Sequence, residues 1–428
     1  MLDSIPNEKI RFIGTIIFFL AILHTFLVKK FMHYSHKFNP GSITNNLLHF
    51  LGEIEIVFGL WASLLIFIWS IMYGSSSAIS YLEGLSFNEP IFVFVIMCLS
   101  ATKPVISSTS HLINLIVKIT PKAYQSILAY ITILVIGPLL GSIITEPAAM
   151  TVTALLLRER YFNQSTNPKF KYATLGLLFV NVSIGGTLTN FAAPPVLMVA
   201  RKWGWDNSFM LSTFGLKAIS AILISTFLVT AIFFKELRKI NISLPVNSVK
   251  KIIIPWWMVA IHFIFIGLTI AHSHHTSFFV GLFLLFLGWV KVSVQYQDEI
   301  RLKESLLVAF FLAGLVTLGN LQDWWLKPLI TDLHDHVLYF GTIGLTAFTD
   351  NAILTYLGTL IPDMNDSSKY YLVAGAITGG GLTVIANAPN PAGYGILQSC
   401  FGKEGISPLF LILGALPPTI IAAILFLY

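Results

Sequence analysis

The sequence predicts an all-α polytopic membrane protein, built as an inverted-topology repeat with two re-entrant helical hairpins and two broken transmembrane helices. Composition decides the class, because 55% of the residues are hydrophobic, 11% are charged and the mean hydropathy is +0.79. Soluble domains carry about 25% charged residues. Apolar runs of roughly 20 residues, enough to cross a bilayer as a helix, fill the chain almost end to end. The net charge of +6 favours anionic lipid headgroups over nucleic acid, since the basic residues lie in loops between apolar segments.

A short motif that occurs twice predicts the repeat. Residues 145–151 read TEPAAMT, and residues 349–355 read TDNAILT. Each motif is followed by a glycine-rich break, GGTLT at 185–189 and GGGLT at 379–383. The two acidic positions lie 204 residues apart, and the two breaks lie 194 apart. A carboxylate and a broken helix, repeated in a very apolar chain, are typical of a secondary transporter.

The apolar segments predict the order of the elements. We expect a first repeat over 1–234, a linker over 235–252 and a second repeat over 253–428. The first repeat has spans 11–28, 50–73 and 91–117, a hairpin 126–157, a broken span 172–200 and a span 208–234. The second has spans 253–271, 277–294 and 305–319, a hairpin 336–361, a broken span 370–400 and a span 406–428. No strand pattern that could close a barrel is visible, so the spans are helices.

Basic residues in the loops predict the orientation. If each hairpin enters and leaves on one side, eighteen Lys and Arg residues lie in cytoplasmic loops and six in external segments. Cytoplasmic loops of membrane proteins carry such an excess. Treating either hairpin as a full span would invert everything after it and remove the bias. We therefore expect a multi-pass protein of the plasma (inner) membrane with both termini external and the linker 235–252 cytoplasmic.

The two acidic residues of the motif, Glu146 and Asp350, are the candidate proton- and cation-binding groups. The predicted hairpin tips place both near the bilayer midplane, where a carboxylate costs about 2.5–3.5 kcal/mol on insertion scales. Burial favours the neutral form, so such a group can exchange a proton for a cation. Asp350 is also a good helix N-cap, which is the structural alternative. A cap carboxylate can still face an ion, and the duplication favours ion binding.

The broken helices are predicted to supply the rest of each ion site. Glycines weaken the helix, prolines stop and restart it, and the unwound backbone exposes carbonyl oxygens that suit sodium. The candidate sodium-binding residues are Thr145, Thr187, Thr189, Asn190, Thr349, Asn351, Thr383, Asn387 and Asn390. A proline kink with close glycine packing is the alternative for a single break. We expect no metal site beyond sodium and no cofactor, with sodium itself as substrate or coupling ion.

At these residues the chain resembles the ion transporter superfamily, and within it the sodium/proton antiporter family. The passages that carry the resemblance are ITEPAAMT, GGTLTNFAAPP, TAFTDNAILTYLG and GGGLTVIANAPNP. The resemblance implies a homodimer, with a scaffold part that holds the dimer, a transport part that moves, and sodium near each hairpin–break pair. Carboxylate symporters of this superfamily carry Ser-Asn-Thr at their hairpin tips. Here Glu146 and Asp350 make the tips negative, which disfavours a di- or tricarboxylate substrate.

The function predicted from the sequence is sodium/proton antiport by alternating access. Glu146 and Asp350 would bind either a proton or sodium, and we expect the change Asp350→Asn to abolish exchange. The alternative is a sodium-coupled symporter of a small anion or polar solute, which would use the same cation sites. A channel is disfavoured because two matched half-sites suit alternating access better than a pore. The chain has no nucleotide loop, nucleophile elbow or HExxH motif, so we expect no enzyme.

Overall fold

The computed structural model describes residues 7–118, 121, 124–165, 167–240, 253–330, 333–402 and 405–428. This part of the chain is helical and contains no β-strand. The helices are α1 (Asn7–Ser35), α2 (Ile43–Leu51), α3 (Val57–Tyr73), α4 (Ser75–Glu83), α5 (Asn88–Ser100), α6 (Lys103–Lys118), α7 (Gln125–Ile144), α8 (Glu146–Leu157), α9 (Pro168–Gly185), α10 (Pro194–Trp203), α11 (Asn207–Met210), α12 (Leu216–Ile232), α13 (Phe234–Lys239), α14 (Trp256–Ala271), α15 (Thr276–Val292), α16 (Leu302–Gly319), α17 (Asp323–Ile330), α18 (Asp335–Thr346), α19 (Asn351–Gly358), α20 (Asp366–Gly379), α21 (Asn390–Leu397) and α22 (Pro408–Leu427).

Six stretches in the described part are long and apolar enough to cross a membrane. They are Glu8–Val28, Ile54–Tyr73, Gln125–Ile144, Asn207–Ile232, Leu302–Gly319 and Pro408–Leu427. A seventh is obtained if α4 and α5, which are bent by 65° at a short break, form one span. Two further apolar helices, α14 and α15, are shorter. Length and composition thus support a polytopic membrane protein, whereas the re-entrant course of the hairpins and the inverted repeat stay predictions.

The four helix breaks occur where the sequence predicts them, three at glycine or proline and one at the Thr-Asp-Asn of residues 349–351. The segment 126–157 breaks at Thr145, between α7 and α8, and 336–361 breaks between α18 and α19. The segment 172–200 leaves the α-helix after Gly185 and resumes at Pro194. The segment 370–400 leaves it after Gly379 and resumes with α21. Residues of low helix propensity therefore interrupt the helices within these apolar segments.

Some predicted bounds differ from the observed helices. The span predicted over 91–117 is two helices, α5 and α6, because Pro104 suits the first turn of a helix and disfavours helical backbone before it. The span predicted from residue 50 begins at residue 54, since α2 extends to Leu51 and is capped by Gly52. The predicted loops 74–90 and 320–335 contain the short helices α4 and α17. Most of the predicted linker 235–252 lies outside the described residues.

The chain divides into two units. The first comprises Met1–Phe94, Leu302–His334 and Tyr356–Asp366. Its closest packing joins α3 and α16, where Gly59 faces the ring of Phe310 and Gly314 faces the backbone of Phe58. A Cβ at either glycine would overlap these neighbours. Small residues thus allow two apolar helices to approach closely, as is common between helices in membranes.

The second unit comprises Val95–Arg301, Asp335–Thr355 and Ser367–Tyr428, and it contains all four helix breaks. Its core surrounds α9, in which every residue from Thr174 to Gly185 is buried. This helix packs against α7, α8, α12 and α22. Gly176 lies against the backbone of Gly414 and Ala415, so α9 and α22 cross without side chains between them. The buried helix α9 ends at the first break and therefore positions it.

Candidate functional site

The first hairpin tip is a sharp turn between α7 and α8. Thr145 adopts φ 74° and ψ 150°, outside the region that a β-branched residue normally occupies, and such conformations cost about 1–3 kcal/mol. Its hydroxyl lies 3.1 Å from the Ser100 hydroxyl, which ties the tip to α5. Glu146 begins α8, and Pro147 follows in the first turn, where proline is favoured. The turn thus fixes the direction in which Glu146 leaves the backbone.

Glu146 lies between the two glycine-rich breaks. Its side chain is fully buried, and its Oε2 accepts a hydrogen bond of 3.0 Å from Asn387 Nδ2 in the second break. Its Oε1 has no hydrogen-bond partner among the described residues. In the first break, the Ala192 carbonyl accepts from the Glu146 backbone N–H at 3.4 Å, and Gly186 faces the carboxylate so closely that a Cβ there would lie 2.5 Å from Oε1. Only glycine leaves room for this carboxylate.

The second hairpin tip presents an amide at the start of its helix. Asn351 begins α19 and is fully buried, and its backbone N–H donates to the Ala386 carbonyl at 3.0 Å. Neither polar atom of its side chain has a hydrogen-bond partner among the described residues. Gly380 faces this amide, since a Cβ there would lie 2.8 Å from Asn351 Nδ2. Because Ala386 and Asn387 are consecutive, the second break contacts both hairpin tips at adjacent residues.

The carboxylate of Asp350 caps α19. Its Oδ1 accepts a 2.8 Å hydrogen bond from the Ala352 backbone N–H, and the residue is 8% exposed. A carboxylate in this position satisfies one free N–H of the helix and is stabilised by the partial positive charge at the N-terminus. The two predicted proton- and cation-binding carboxylates therefore have different surroundings: Asp350 is engaged by its own helix, whereas Glu146 faces two breaks.

Several buried oxygens around the tips and the second break have no hydrogen-bond partner in the described part of the chain. They are Glu146 Oε1, Thr349 Oγ1, Asn351 Oδ1, Asn387 Oδ1 and Asn390 Oδ1. Asn390 directs its amide nitrogen to the carbonyls of Gly380 and Thr383, at 2.7 and 2.8 Å, which closes the second break and leaves the amide oxygen available. Buried polar atoms are nearly always satisfied in folded proteins, so these oxygens are candidates for binding water or a ligand. One carboxylate oxygen and several neutral oxygens suit a small hard cation.

The same local contacts occur at both hairpin–break pairs. Shifting the first hairpin by 205 residues and the first break by 194 residues reproduces three of them. First, Gly185 lies against the Pro138 carbonyl as Gly379 lies against the Ile343 carbonyl. Second, the Thr189 hydroxyl donates to the Ser142 carbonyl as the Thr383 hydroxyl donates to the Ala347 carbonyl. Third, the Glu146 N–H donates to the Ala192 carbonyl as the Asn351 N–H donates to the Ala386 carbonyl. By these contacts, Asn351 stands where Glu146 stands in the first pair. The motif alignment pairs Glu146 with Asp350, 204 residues later, whereas the backbone contacts pair Glu146 with Asn351, 205 residues later.

The comparison with known protein families decides the identity. A family model described as "Putative Na+/H+ antiporter" matches residues 9–428. The chain belongs to this antiporter family. No curated protein matches it. Together with its apolar helices, the family makes this chain a multi-pass membrane protein of the cation/proton transport class, with sodium/proton antiport as the family's described activity.

Three other predicted sodium ligands of this antiporter family member already have protein partners. The Thr187 hydroxyl donates to the Ile184 carbonyl at 2.6 Å, and Thr189 makes the contact with Ser142 given above. Asn190 donates from its side-chain amide to the Trp205 carbonyl at 3.0 Å. The two threonines therefore hold the first break in place. The described contacts of Asn190 join it to the turn before α11 and not to Glu146.

Two serines that the sequence analysis did not single out hold the antiporter's breaks together. The Ser142 hydroxyl donates to the Gly185 carbonyl at 2.7 Å and accepts from the Leu188 N–H at 3.0 Å. The Ser183 hydroxyl donates to the Ile377 carbonyl at 2.7 Å and lies against Gly380. Each serine lies a few residues before a motif already identified, at a hairpin end or a glycine pair. That proximity is the signal by which a sequence could indicate them.

Other charged groups of this antiporter in apolar segments have their own partners. Lys103 forms an ion pair of 2.9 Å with Asp298, and Lys217 donates to the Tyr370 hydroxyl at 2.8 Å. Lys217 also lies 4.8 Å from the centroid of the same ring. The hydroxyl and the aromatic ring of one tyrosine therefore both contact the Lys217 ammonium group, which needs no carboxylate partner. These contacts account for both lysines without a role at the candidate site.

Proposed function

We propose that this protein is a sodium/proton antiporter in which the Glu146 carboxylate alternately holds a proton and a sodium ion. The observation that carries the proposal is the environment of Glu146: fully buried, one oxygen hydrogen-bonded to Asn387 and the other without a partner among the described residues. A carboxylate that has lost its water needs a proton or a cation to offset its charge. Competition of the two for one group gives exchange, in agreement with the family's described activity.

The cation would be held by oxygens from both tips and the second break. In this proposal Glu146 supplies the negative charge, and the free amide or hydroxyl oxygens of Thr349, Asn351, Asn387 and Asn390 complete the shell. The other predicted ligands serve the site by holding its parts in place. Thr187, Thr189 and Thr383 tie the breaks through carbonyl contacts, Thr145 anchors the first tip, and Asn190 secures the first break.

In this proposal Asp350 is a second carboxylate that attracts the cation less strongly than Glu146 does. Its hydrogen bond to the Ala352 N–H keeps one oxygen on the helix. Its charge is near enough to act on Glu146, so it would also act on a cation held there. The partial positive charge at the helix N-terminus stabilises the negative charge of such a carboxylate. The proton therefore exchanges with sodium at Glu146, and Asp350 raises the affinity for the cation.

Transport would follow from alternating access. Only the state in which a proton or a cation neutralises Glu146 crosses, because an uncompensated charge in an apolar environment is costly. We further propose that the protein acts as a homodimer in the plasma (inner) membrane with both termini external. This arrangement rests on the family resemblance and on the distribution of basic residues between loops.

Proton flux in proteoliposomes tests the proposal. Acid-loaded vesicles with an internal pH dye should become alkaline inside when sodium is added outside, and the change Glu146→Gln should abolish the response. The competing function is sodium-coupled symport of a small anion or polar solute, and the negative Glu146 at the tip disfavours an anionic substrate. Sodium uptake that moves no protons and requires a second solute would refute antiport and establish symport.

A further inference from the structure

A cavity separate from the hairpin tips lies between α6 and the end of α8. Its volume is about 140 Å³. One water molecule needs roughly 10–15 Å³ on this measure, so the cavity has room for a ligand of several heavy atoms. The lining residues are Ile106, Ser110 and Asn114 on one side and Val152, Leu155, Leu156, Glu159 and Arg160 on the other. Within each set the residues recur every three or four positions along the chain, so each set lies on one face of a helix.

The cavity contains a buried guanidinium. Arg160 is 5% exposed, and its Nη2 donates to Asn114 Oδ1. Its Nη1 has no hydrogen-bond partner, and no carboxylate forms an ion pair with it, among the described residues. Burial lowers the pKa of Arg160, because desolvation disfavours the charged form. Buried charges are normally paired, and no ion pair holds this guanidinium in the described part of the chain, so its unpartnered Nη1 is a donor suited to an anion.

The backbone around Arg160 is unusual as well. Residues Arg158–Phe162 form a π-helical turn directly after α8. Such turns are rare in proteins, and those that occur are often found at functional sites. Here the turn continues the cavity-lining face of α8 and buries Arg160, while its neighbour Arg158 is half-buried outside the cavity. Both arginines lie in the turn, and only Arg160 lines the cavity.

We propose that this cavity is a binding site for a phosphate-type oxyanion. Arg160 would bind it through the N–H groups of its unpartnered Nη1, as charge-assisted hydrogen bonds to phosphate oxygens. Asn114 accepts from Arg160 through its oxygen, so its amide N–H groups face the ligand as donors, and Ser110 adds a hydroxyl. The phosphate belongs either to a free anion or to the headgroup of an anionic lipid, since both present the same oxygens.

The exposed Glu159 on the cavity rim sets the affinity. Its negative charge opposes an anion in the cavity without forming an ion pair with Arg160. Removing this charge therefore strengthens binding, whereas removing the charge of Arg160 weakens it. General attraction of anions by a basic protein would follow the net charge alone, so the comparison that identifies a specific site is Arg160 with Arg158, whose replacement changes the net charge equally outside the cavity.

Binding measurements on the purified full-length protein test the site. Inorganic phosphate and a short-chain phosphatidylglycerol are titrated separately by calorimetry, with thermal unfolding as a second readout. We expect saturable binding of at least one probe, weakened at least tenfold by Arg160→Gln and unchanged by Arg158→Gln, which removes the same charge outside the cavity. Glu159→Gln should tighten binding several-fold. Binding of phosphate alone assigns a free anion, and binding of the lipid, with or without phosphate, assigns a headgroup.

Two results would overturn the proposal. The first is no saturable binding of either probe to the wild-type protein. The second is equal weakening by the Arg158 and Arg160 changes, which would show that only net charge matters. Should Arg160→Gln fail to fold, the exposed Glu159→Gln variant still decides, because unchanged or weaker binding there contradicts an anion in the cavity.

Discussion

The change Glu146→Gln removes the one charge that the proposed mechanism cannot do without. Glutamine has nearly the same volume, and its amide oxygen can accept the hydrogen bond that Asn387 now donates to Oε2 at 3.0 Å. The charge lost is fully buried. Two unit charges about 4 Å apart attract by about 4 kcal/mol at an effective dielectric constant near 20. Since 1.4 kcal/mol corresponds to tenfold in affinity, sodium binding should weaken about a thousandfold.

Two assays measure this effect. In proteoliposomes, sodium-driven proton flux should fall to the level of empty vesicles, because glutamine neither releases a proton nor neutralises a cation. In detergent, sodium at 100 times its Kd should stabilise the wild-type protein against unfolding by about 2.7 kcal/mol, and this stabilisation should vanish in the variant. Without sodium the two proteins should unfold at similar temperatures, since the hydrogen bond and the volume are kept.

Glu83→Gln is the matched control, because it makes the same chemical change at an exposed residue in the short helix α4. It should leave flux and sodium-dependent stability unchanged. Normal sodium-driven flux in the Glu146 variant would refute the assignment of the exchanging carboxylate. Loss of flux together with an equally large loss of stability without sodium would show a folding defect in place of the binding defect expected here.

Three further changes test the surroundings of Glu146. Asn387→Ala removes the donor to the carboxylate, and since hydrogen bonds to charged groups contribute about 1.5–3 kcal/mol, the apparent sodium affinity in flux assays should fall about 10–100-fold; an unchanged affinity would contradict the shared site. Gly380→Ala places a Cβ against the second tip and should cost about 1–3 kcal/mol in stability and abolish exchange, whereas Gly395→Ala, with nothing within 4 Å, should be neutral or stabilising in the same unfolding assay. The sequence alone predicts that Asp350→Asn abolishes exchange, whereas the capping contact of Asp350 predicts that the helix is kept, because asparagine caps as well as aspartate, and that sodium affinity falls about tenfold with measurable exchange remaining. A loss as complete as that of the Glu146 variant would support the sequence prediction and show that both carboxylates carry the exchange.

The sequence predicted the class and the breaks because both depend on local properties. A chain with 11% charged residues and near-continuous apolar runs can satisfy its backbone in a membrane only by helices or a closed barrel, and no strand pattern is present. Glycine and proline act on the residues next to them, so the interruptions at Thr145, Gly185 and Gly379 were visible from the sequence. The helix break within 91–117, which the sequence analysis did not predict, also has a proline, Pro104, as its local cause.

The candidate site was predicted in composition but not in arrangement. Glu146, Asn351, Asn387 and Asn390 were all named from their residue types, and the structure places them at the tips and the second break with unpartnered oxygens. The equivalence of Asp350 and Glu146, inferred from their shared acidity, does not hold at the level of backbone contacts. A sequence motif matches residues by their chemical type, whereas the position of a side chain in the site depends on the backbone contacts of its residue.

By itself, the sequence determined that this protein is helical and membrane-embedded, where its helices break, and which residue types meet at the breaks, because propensity and hydrophobicity act over a few residues. Only the tertiary structure decided which of these residues touch. Glu146 and Asn387 are separated by 241 positions and meet at 3.0 Å, and Arg160 is buried against Asn114 on another helix. Such contacts depend on how distant helices pack, and close packing through glycines such as Gly186 and Gly380 sets distances that no local pattern encodes.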